Sequence, residues 1–183
     1  MWGPAGLADT LVELGILTPE LAPRMAKGGT THPIGLDIAT TQVHAEHSSE
    51  FVYVNPDTKK REVHVGGEPV GFIIKLENGF TIYHMGDTGL FGYLTLIGQR
   101  YRPDLLLIPI GGNFVMDPSD AAEATRIIRP HFAIPMHYGT TPQLARHTRA
   151  IPRGVGQDRD RGQSHATRRD RDLRPALASA RRR

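Results

Sequence analysis

The sequence predicts an α/β fold, and three observations support that prediction. Two continuous apolar runs, "LLLIPI" from residue 105 and "FAIPM" from residue 132, are typical of buried strands. The segment between them carries a helix start, with Asp117 as the N-cap and Pro118 at the first helical position. Upstream, two β-rich runs flank the turn residues Glu77, Asn78 and Gly79, which indicates a hairpin. From residue 80 onward, strands and helices therefore alternate, and helices are expected to pack against a sheet.

Local patterns predict the remaining elements. The apolar spacing in "LADTLVELGIL" predicts a short helix over residues 7–17. The alternation in "LDIATTQVHAEH" predicts a strand over residues 36–47. Residues 48–70 are rich in polar residues and contain two prolines and two glycines, and we predict a long polar connection there. The segment "GLFGYLTLIGQRY" predicts a helix over residues 89–101.

Composition excludes several classes of protein. The 183 residues contain no cysteine, which excludes disulfides and thiolate metal ligands. No apolar run approaches the roughly 20 residues that a membrane-spanning helix needs. The first residues carry no basic segment before their apolar part, so a secretory signal is not indicated. We therefore expect a cytoplasmic protein that does not enter a membrane.

Charge divides the chain near residue 145. Residues 146–183 hold 12 Arg, no Lys and 4 Asp, whereas residues 1–145 hold 10 basic and 15 acidic residues. Because large apolar residues are scarce in the Arg-rich part, we predict a domain over residues 1–145 and a disordered tail over residues 146–183. Two interpretations of the tail stay open: a segment translated out of frame, and an arm that contacts nucleic acid. Alternation of Arg with Asp, and the lack of aromatic residues, favour the first.

Polar groups follow the ends of successive predicted strands. Asp87 lies in "YHMGDTG", Asn113 in "IPIGGNF" and His137 in "IPMHYGT", while His44 and His47 end the strand upstream. Ligands of α/β proteins gather at the carboxyl ends of the strands, so we expect these residues at one edge of the sheet. An aspartate with two or more histidines suits zinc, manganese or iron.

Each of these residues also has a structural interpretation that spacing alone leaves open. Asp87 could cap the helix predicted directly after it. His137 could be a core histidine bonded to the backbone, and His47 could be a surface residue in a polar loop. His84, in the middle of a predicted strand, fits a structural role better than a ligand role.

Four motifs, in the right order and at the right intervals, resemble the metallo-β-lactamase superfamily: "VHAEHSS", "TIYHMGDTGLF", "PDLLLIPIGGNFVMDPSDAAEA" and "IPMHYGTTP". The resemblance covers about residues 5–143 and is strongest to small metal-dependent hydrolases related to the L-ascorbate-6-phosphate lactonases. It implies an αββα sandwich whose edge holds two divalent metals. It also implies hydrolysis of an ester, lactone or phosphoester bond in a small-molecule substrate, with a metal-bound hydroxide as the nucleophile.

The same resemblance implies a role for three residues by position. His47 matches a ligand of the first metal, Asp87 matches the carboxylate that bridges both metals, and His137 matches a ligand of the second metal. Asp87 and His137 would thus be catalytic through the metals that they hold. The metal implied is zinc, with manganese as the alternative.

The sequence departs from this family in one respect, because the signature H-x-H-x-D-H does not occur in it. The chain therefore resembles the C-terminal portion of such a hydrolase, that is, a partial αββα sandwich. We expect weakened metal binding, little or no activity, and an exposed sheet face through which copies of the chain could associate. The alternative is a non-catalytic remnant or binding module whose basic tail contacts nucleic acid.

Overall fold

The computed structural model describes residues 3–33, 35 and 37–140. The predicted boundary near residue 145 and the Arg-rich segment 146–183 lie outside these residues. In chain order, the α-helices and strands within the described ranges are β1 (Gly3–Pro4), α1 (Ala5–Glu13), β2 (Arg24–Met25), β3 (Thr30–Thr31), β4 (Ala39–His44), β5 (Glu50–Val54), β6 (Arg61–Val65), β7 (Val70–Lys75), β8 (Thr81–His84), α2 (Leu94–Tyr101), β9 (Leu105–Pro109), α3 (Pro118–Ile128) and β10 (Phe132–Met136).

Six of these strands form the main sheet, in the spatial order β10-β9-β8-β7-β4-β3. The strands β8, β9 and β10 run parallel, whereas β3, β4 and β7 pair antiparallel with their neighbours. Parallel neighbours need a crossover connection, and α2 and α3 provide the two crossovers. The predicted α/β fold class and the alternating order after residue 80 are confirmed.

Helices α2 and α3 pack together over one face of this sheet. The predicted N-cap is confirmed, since the Asp117 carboxylate accepts hydrogen bonds from the backbone N–H groups of Ser119 and Asp120. The helices approach so closely that a Cβ built on Gly98 would lie 2.9 Å from the Ile128 Cα. The core between helices and sheet is apolar and buried, with Ile73, Tyr83, Leu94, Ile97, Leu106, Ile108, Ala121 and Ala124 among its members.

The opposite face of the sheet is partly exposed, and this corrects the prediction that β10 is a buried strand. Phe132 is 64% exposed and Ile134 is 52% exposed. Their register partners on β9 are Leu105 and Leu107, so the exposed side chains continue an apolar face across parallel strands. An apolar run indicates a strand, but it does not say whether both faces of that strand are covered.

The predicted polar connection over residues 48–70 is wrong, because it contains the antiparallel pair β5 and β6. Both segments alternate strictly in burial, as expected for strands with one face against the protein. The turn between them is set by Asn55, whose side-chain oxygen accepts hydrogen bonds from the N–H groups of Asp57 and Thr58. The many charged residues near this turn indicated a loop, although the residues on either side of it alternate as in strands.

Two predicted helices have different bounds in the structure. The helix predicted over residues 7–17 is α1, which ends earlier, at Glu13. The helix predicted over residues 89–101 is α2, which begins only at Leu94. Its first predicted residue, Gly89, instead donates its N–H to the Glu46 carbonyl oxygen at 2.8 Å, which holds this segment against the loop after β4. None of the helices in the described ranges is long and apolar enough to cross a lipid bilayer.

Candidate metal centre

Strand direction places the predicted site residues at one edge of the main sheet. Strand β7 is antiparallel to both β4 and β8, so β4 runs in the same direction as β8, β9 and β10. The four carboxyl ends therefore meet at the same edge. The segments that follow those ends carry His47, Asp87, Asn113 and His137, respectively.

Two of these residues are brought together there. The Oδ2 atom of Asp87 lies 3.5 Å from the Nε2 atom of His137, and both side chains are partly exposed. A tetrahedral zinc ion with ligand bonds of about 2.0–2.2 Å holds its donor atoms roughly 3.4 Å apart. The separation therefore fits a pair of donors that share one cation.

Asp87 is presented by a tight turn. Gly86 has a positive φ of 69°, and its N–H donates to the Nδ1 atom of His84 at 3.1 Å. A Cβ at Gly86 would lie 2.6 Å from the Val70 carbonyl oxygen, so the turn needs glycine. His84 thus has the structural role that its position in the strand indicated. The interpretation of Asp87 as a helix cap is wrong, because α2 has Tyr93 as its N-cap and no side-chain cap.

Thr88 ties the Asp87 turn to the loop that carries His47. This side chain is buried, and its Oγ1 atom accepts the Glu46 N–H at 2.9 Å while donating to the Gly89 carbonyl oxygen at 2.9 Å. Together with the bond from Gly89 N–H to Glu46, these contacts hold the two loops side by side. Sequence reasoning missed this residue, although a threonine directly after the acid in "GDTG" could have indicated it.

His47 lies in the neighbouring loop but outside the Asp87–His137 pair. Its Nδ1 atom is 2.7 Å from the Ser48 carbonyl oxygen, so Nδ1 carries the proton and Nε2 keeps its lone pair for a cation. Among the described residues, however, no three His, Asp, Glu or Cys side chains converge as a metal-binding group. The assignment of His47, Asp87 and His137 as metal ligands stays a prediction, and two of the three are adjacent.

His137 combines two features that are unusual for a structural residue. Its backbone has a positive φ of 53°, a conformation that non-glycine residues adopt at a cost in free energy. Its Nδ1 atom is buried and has no hydrogen-bond partner within the described ranges. Both features concentrate at functional positions. Asn113 also has a positive φ, of 57°, but its side chain is exposed and is not part of the pair.

His44, the alternative ligand at the end of β4, has both ring nitrogens engaged. The Lys27 ammonium donates to Nδ1 at 3.1 Å, so Nε2 carries the proton and faces a Glu46 carboxylate oxygen at 3.2 Å. These bonds leave no lone pair on His44 for a metal. A cleft of about 640 Å³ adjoins Lys27 and His44, and neither Asp87 nor His137 lines it.

Similarity to known proteins is extensive. The family described as "Beta-lactamase superfamily domain" matches residues 20–137. A protein of Cupriavidus metallidurans named UPF0173 metal-dependent hydrolase is 56% identical over 146 residues, which is 79% of this chain and 50% of that protein. A UPF0173 metal-dependent hydrolase of Methanopyrus kandleri is 44% identical over 136 residues, which is 74% of this chain and 55% of that protein. The chain thus spans about half the length of these curated relatives.

Solved structures lead to the same family. Igni18, a metallo hydrolase from Ignicoccus hospitalis, is 30% identical and superposes with a TM-score of 0.63, covering 79% of this chain and 55% of Igni18. The narrower relation to the L-ascorbate-6-phosphate lactonases stays a prediction. The matched domain, the UPF0173 relatives and the shared fold together establish that the chain belongs to the metallo-β-lactamase superfamily.

Proposed function

We propose that this chain forms part of the metal centre of a hydrolase that cleaves ester, lactone or phosphoester bonds in a small-molecule substrate. The divalent cations are zinc, or alternatively manganese. His47 would be a ligand of the first, His137 a ligand of the second and Asp87 a ligand of both. One observation carries the proposal: Asp87 Oδ2 and His137 Nε2 are 3.5 Å apart at the carboxyl edge of a sheet. The names of the relatives, which are metal-dependent hydrolases, agree with it.

The chain's own residues hold and orient the ligands. Asp87 offers two carboxylate oxygens and a negative charge that offsets the charge of a cation. The Gly86 turn and the buried Thr88 fix the backbone on either side of that carboxylate. A cation bound here supplies Lewis acidity and lowers the pKa of a coordinated water towards neutrality. That chemistry needs no protein nucleophile, which agrees with a chain without cysteine.

The number of ligands limits what this chain does alone. Catalytic zinc sites usually keep three protein ligands, whereas only Asp87 and His137 are adjacent among the described residues. We therefore propose that the isolated chain binds metal weakly and turns over substrate barely or not at all. The remaining ligands would come from the H-x-H-x-D-H segment that the resemblance implies and that this sequence does not contain.

The test supplies that segment in trans. The chain is co-expressed with the half of the Cupriavidus metallidurans relative that it does not match, and zinc binding is measured by calorimetry on the chain and on the pair. Hydrolysis of p-nitrophenyl acetate, a γ-lactone and bis-p-nitrophenyl phosphate then separates the three classes of bond. We expect the pair to bind zinc tightly and to cleave at least one substrate. Asp87→Ala should abolish both properties, whereas Asp57→Ala, in the exposed turn after β5, should not.

Two results would overturn parts of this proposal. Tight binding of two metals by the chain alone would show that other residues complete the site. An assembled pair that binds no zinc would exclude the metal centre and favour the non-catalytic alternative.

A further inference from the structure

The β5–β6 hairpin presents a small apolar surface to solvent. Its outward side carries four valines, which we call the valine face and which are between 45% and 65% exposed: Val52, Val54, Val63 and Val65. A β-branched residue in a strand usually packs against a neighbour. Four of them on one side of a two-stranded sheet form an apolar patch without a partner among the described residues.

The side chains on the other side of the hairpin are half-buried, and a contact with α1 joins the hairpin to the rest of the protein. Within the hairpin, Phe51 stacks on the His64 ring with centroids 5.6 Å apart, and the Nε2 atom of His64 lies 3.3 Å from a Glu62 carboxylate oxygen. The Thr10 hydroxyl of α1 contacts the carbonyl oxygen of Val65 at 3.2 Å. The alternation of side chains along β5 and β6 then leaves the valines without access to the core.

Two opposite charges lie at diagonal corners of the valine face. The register pairs Glu50 with Val65 and Val54 with Arg61, so both charged residues are on the same side as the valines. They sit at opposite ends of the hairpin and on different strands. Both are exposed, and neither forms an ion pair with another described residue.

We propose that the valine face docks onto the valine face of a second copy of this chain. A two-fold axis in the plane between two such faces brings Glu50 of each copy over Arg61 of the other. The central valines, Val52 and Val63, then pack together. This arrangement crosses the strands of the two hairpins by a few tens of degrees, close to the roughly 30° of aligned sheet packing.

The charge pattern favours a second copy over other occupants. An anionic lipid surface would favour a face with several basic residues. This face instead has one acid and one base, and rotation of a second copy by 180° places the base of each copy opposite the acid of the other. The face consists of the four valines, Glu50 and Arg61, which is far fewer than the roughly 20–30 residues a side of a standard stable interface. The dimer is therefore weak and depends on concentration and on ionic strength.

The experiment is analytical ultracentrifugation of the full chain over a concentration series that reaches the millimolar range. We expect a monomer–dimer equilibrium that Glu50→Arg and Arg61→Glu each weaken at least about tenfold, because each creates like-charge contacts. The double variant Glu50→Arg/Arg61→Glu should return the dissociation constant to within about threefold of the original, because the pairs are restored with inverted sign.

Matched controls separate this interface from any other. Glu77→Arg and Lys75→Glu make the same charge changes on the β7–β8 hairpin, and we expect no effect on association. Val52→Thr/Val63→Thr keeps β-branched residues in the strands and should abolish the dimer while circular dichroism stays unchanged. A chain that is monomeric throughout, a dimer that survives the threonine substitutions, or a double charge variant without recovery would each overturn the proposal.

Discussion

The Oδ2 atom of Asp87 lies 3.5 Å from the Nε2 atom of His137, although fifty positions separate the two residues in sequence. The contact arises because β8 and β10 flank β9 and all three strands run parallel. Their carboxyl ends then converge at one edge, and the turn at Gly86 directs the chain so that carboxylate and imidazole meet.

If Asp87 and His137 hold the same cation, their substitutions should not be additive. We expect Asp87→Asn and His137→Gln each to lower zinc affinity about tenfold or more, and the double variant to lose little beyond either single change. Calorimetric titration measures this coupling in the four proteins, each assembled with the co-expressed half of the relative. Additive losses would indicate that the two side chains bind separate cations.

Gly86→Ala should damage both stability and the site. The added Cβ combines a positive φ with a contact of 2.6 Å to the Val70 carbonyl oxygen, so we expect a loss of about 2–4 kcal/mol in the free energy of unfolding. Zinc affinity should also fall, because the turn positions Asp87.

Gly79→Ala is the matched control for that change. Gly79 also has a positive φ, of 85°, but a Cβ there would meet no atom within 4 Å. We expect a loss of only about 1 kcal/mol and unchanged zinc affinity. Equal effects of the two substitutions on zinc binding would contradict a positioning role for the Gly86 turn.

Gly98→Ala tests the close contact between α2 and α3. Alanine has the higher helix propensity, but its Cβ would lie 2.9 Å from the Ile128 Cα, so we expect a net loss of about 1–3 kcal/mol in urea unfolding. Gly92→Ala, where a Cβ would meet open space, should be neutral or slightly stabilising. A stabilising Gly98→Ala would mean that the two helices can separate without cost.

Tyr83→Phe should stabilise the protein. The Tyr83 side chain is fully buried on the helix-covered face of the sheet, and its hydroxyl has no hydrogen-bond partner within the described ranges. Removing a buried hydroxyl without a partner should raise the free energy of unfolding by about 1 kcal/mol, measured by urea denaturation at neutral pH. A loss of stability would instead show that the hydroxyl has a partner.

The buried Tyr83 hydroxyl should also make the free energy of unfolding depend on pH in the alkaline range. Burial raises the pKa of Tyr83 above its ordinary value of 10.0. As pH rises through about 10, the unfolded chain loses the phenolic proton and the folded chain keeps it, so the free energy of unfolding falls. Between about pH 9 and about pH 11, we expect a smaller fall in Tyr83→Phe than in the unsubstituted protein. An equal fall in the free energy of unfolding of the two proteins over this pH range would contradict a raised pKa of Tyr83.

Much of the secondary structure could be predicted because it depends on short-range signals. The Asp117 cap and the Asn78-Gly79 turn are both read from neighbouring residues, and both are present in the structure. The start of α2 could not be predicted, since it depends on a hydrogen bond between Gly89 and the distant Glu46. The β5–β6 hairpin was not predicted, because the charged residues of its turn indicated a polar connection in spite of the alternating residues on either side.

The sequence by itself determined the α/β class and the placement of Asp87 and His137 at strand ends. The tertiary structure decided how they are used, because strand order and register set distances between residues far apart in sequence. It joined Asp87 to His137 and excluded the capping role of Asp87. Folding also brings Lys27 and Glu46 to the His44 ring, where they engage both ring nitrogens and leave none for a metal. Such contacts have no local sequence signal, because their free energy depends on separation in space.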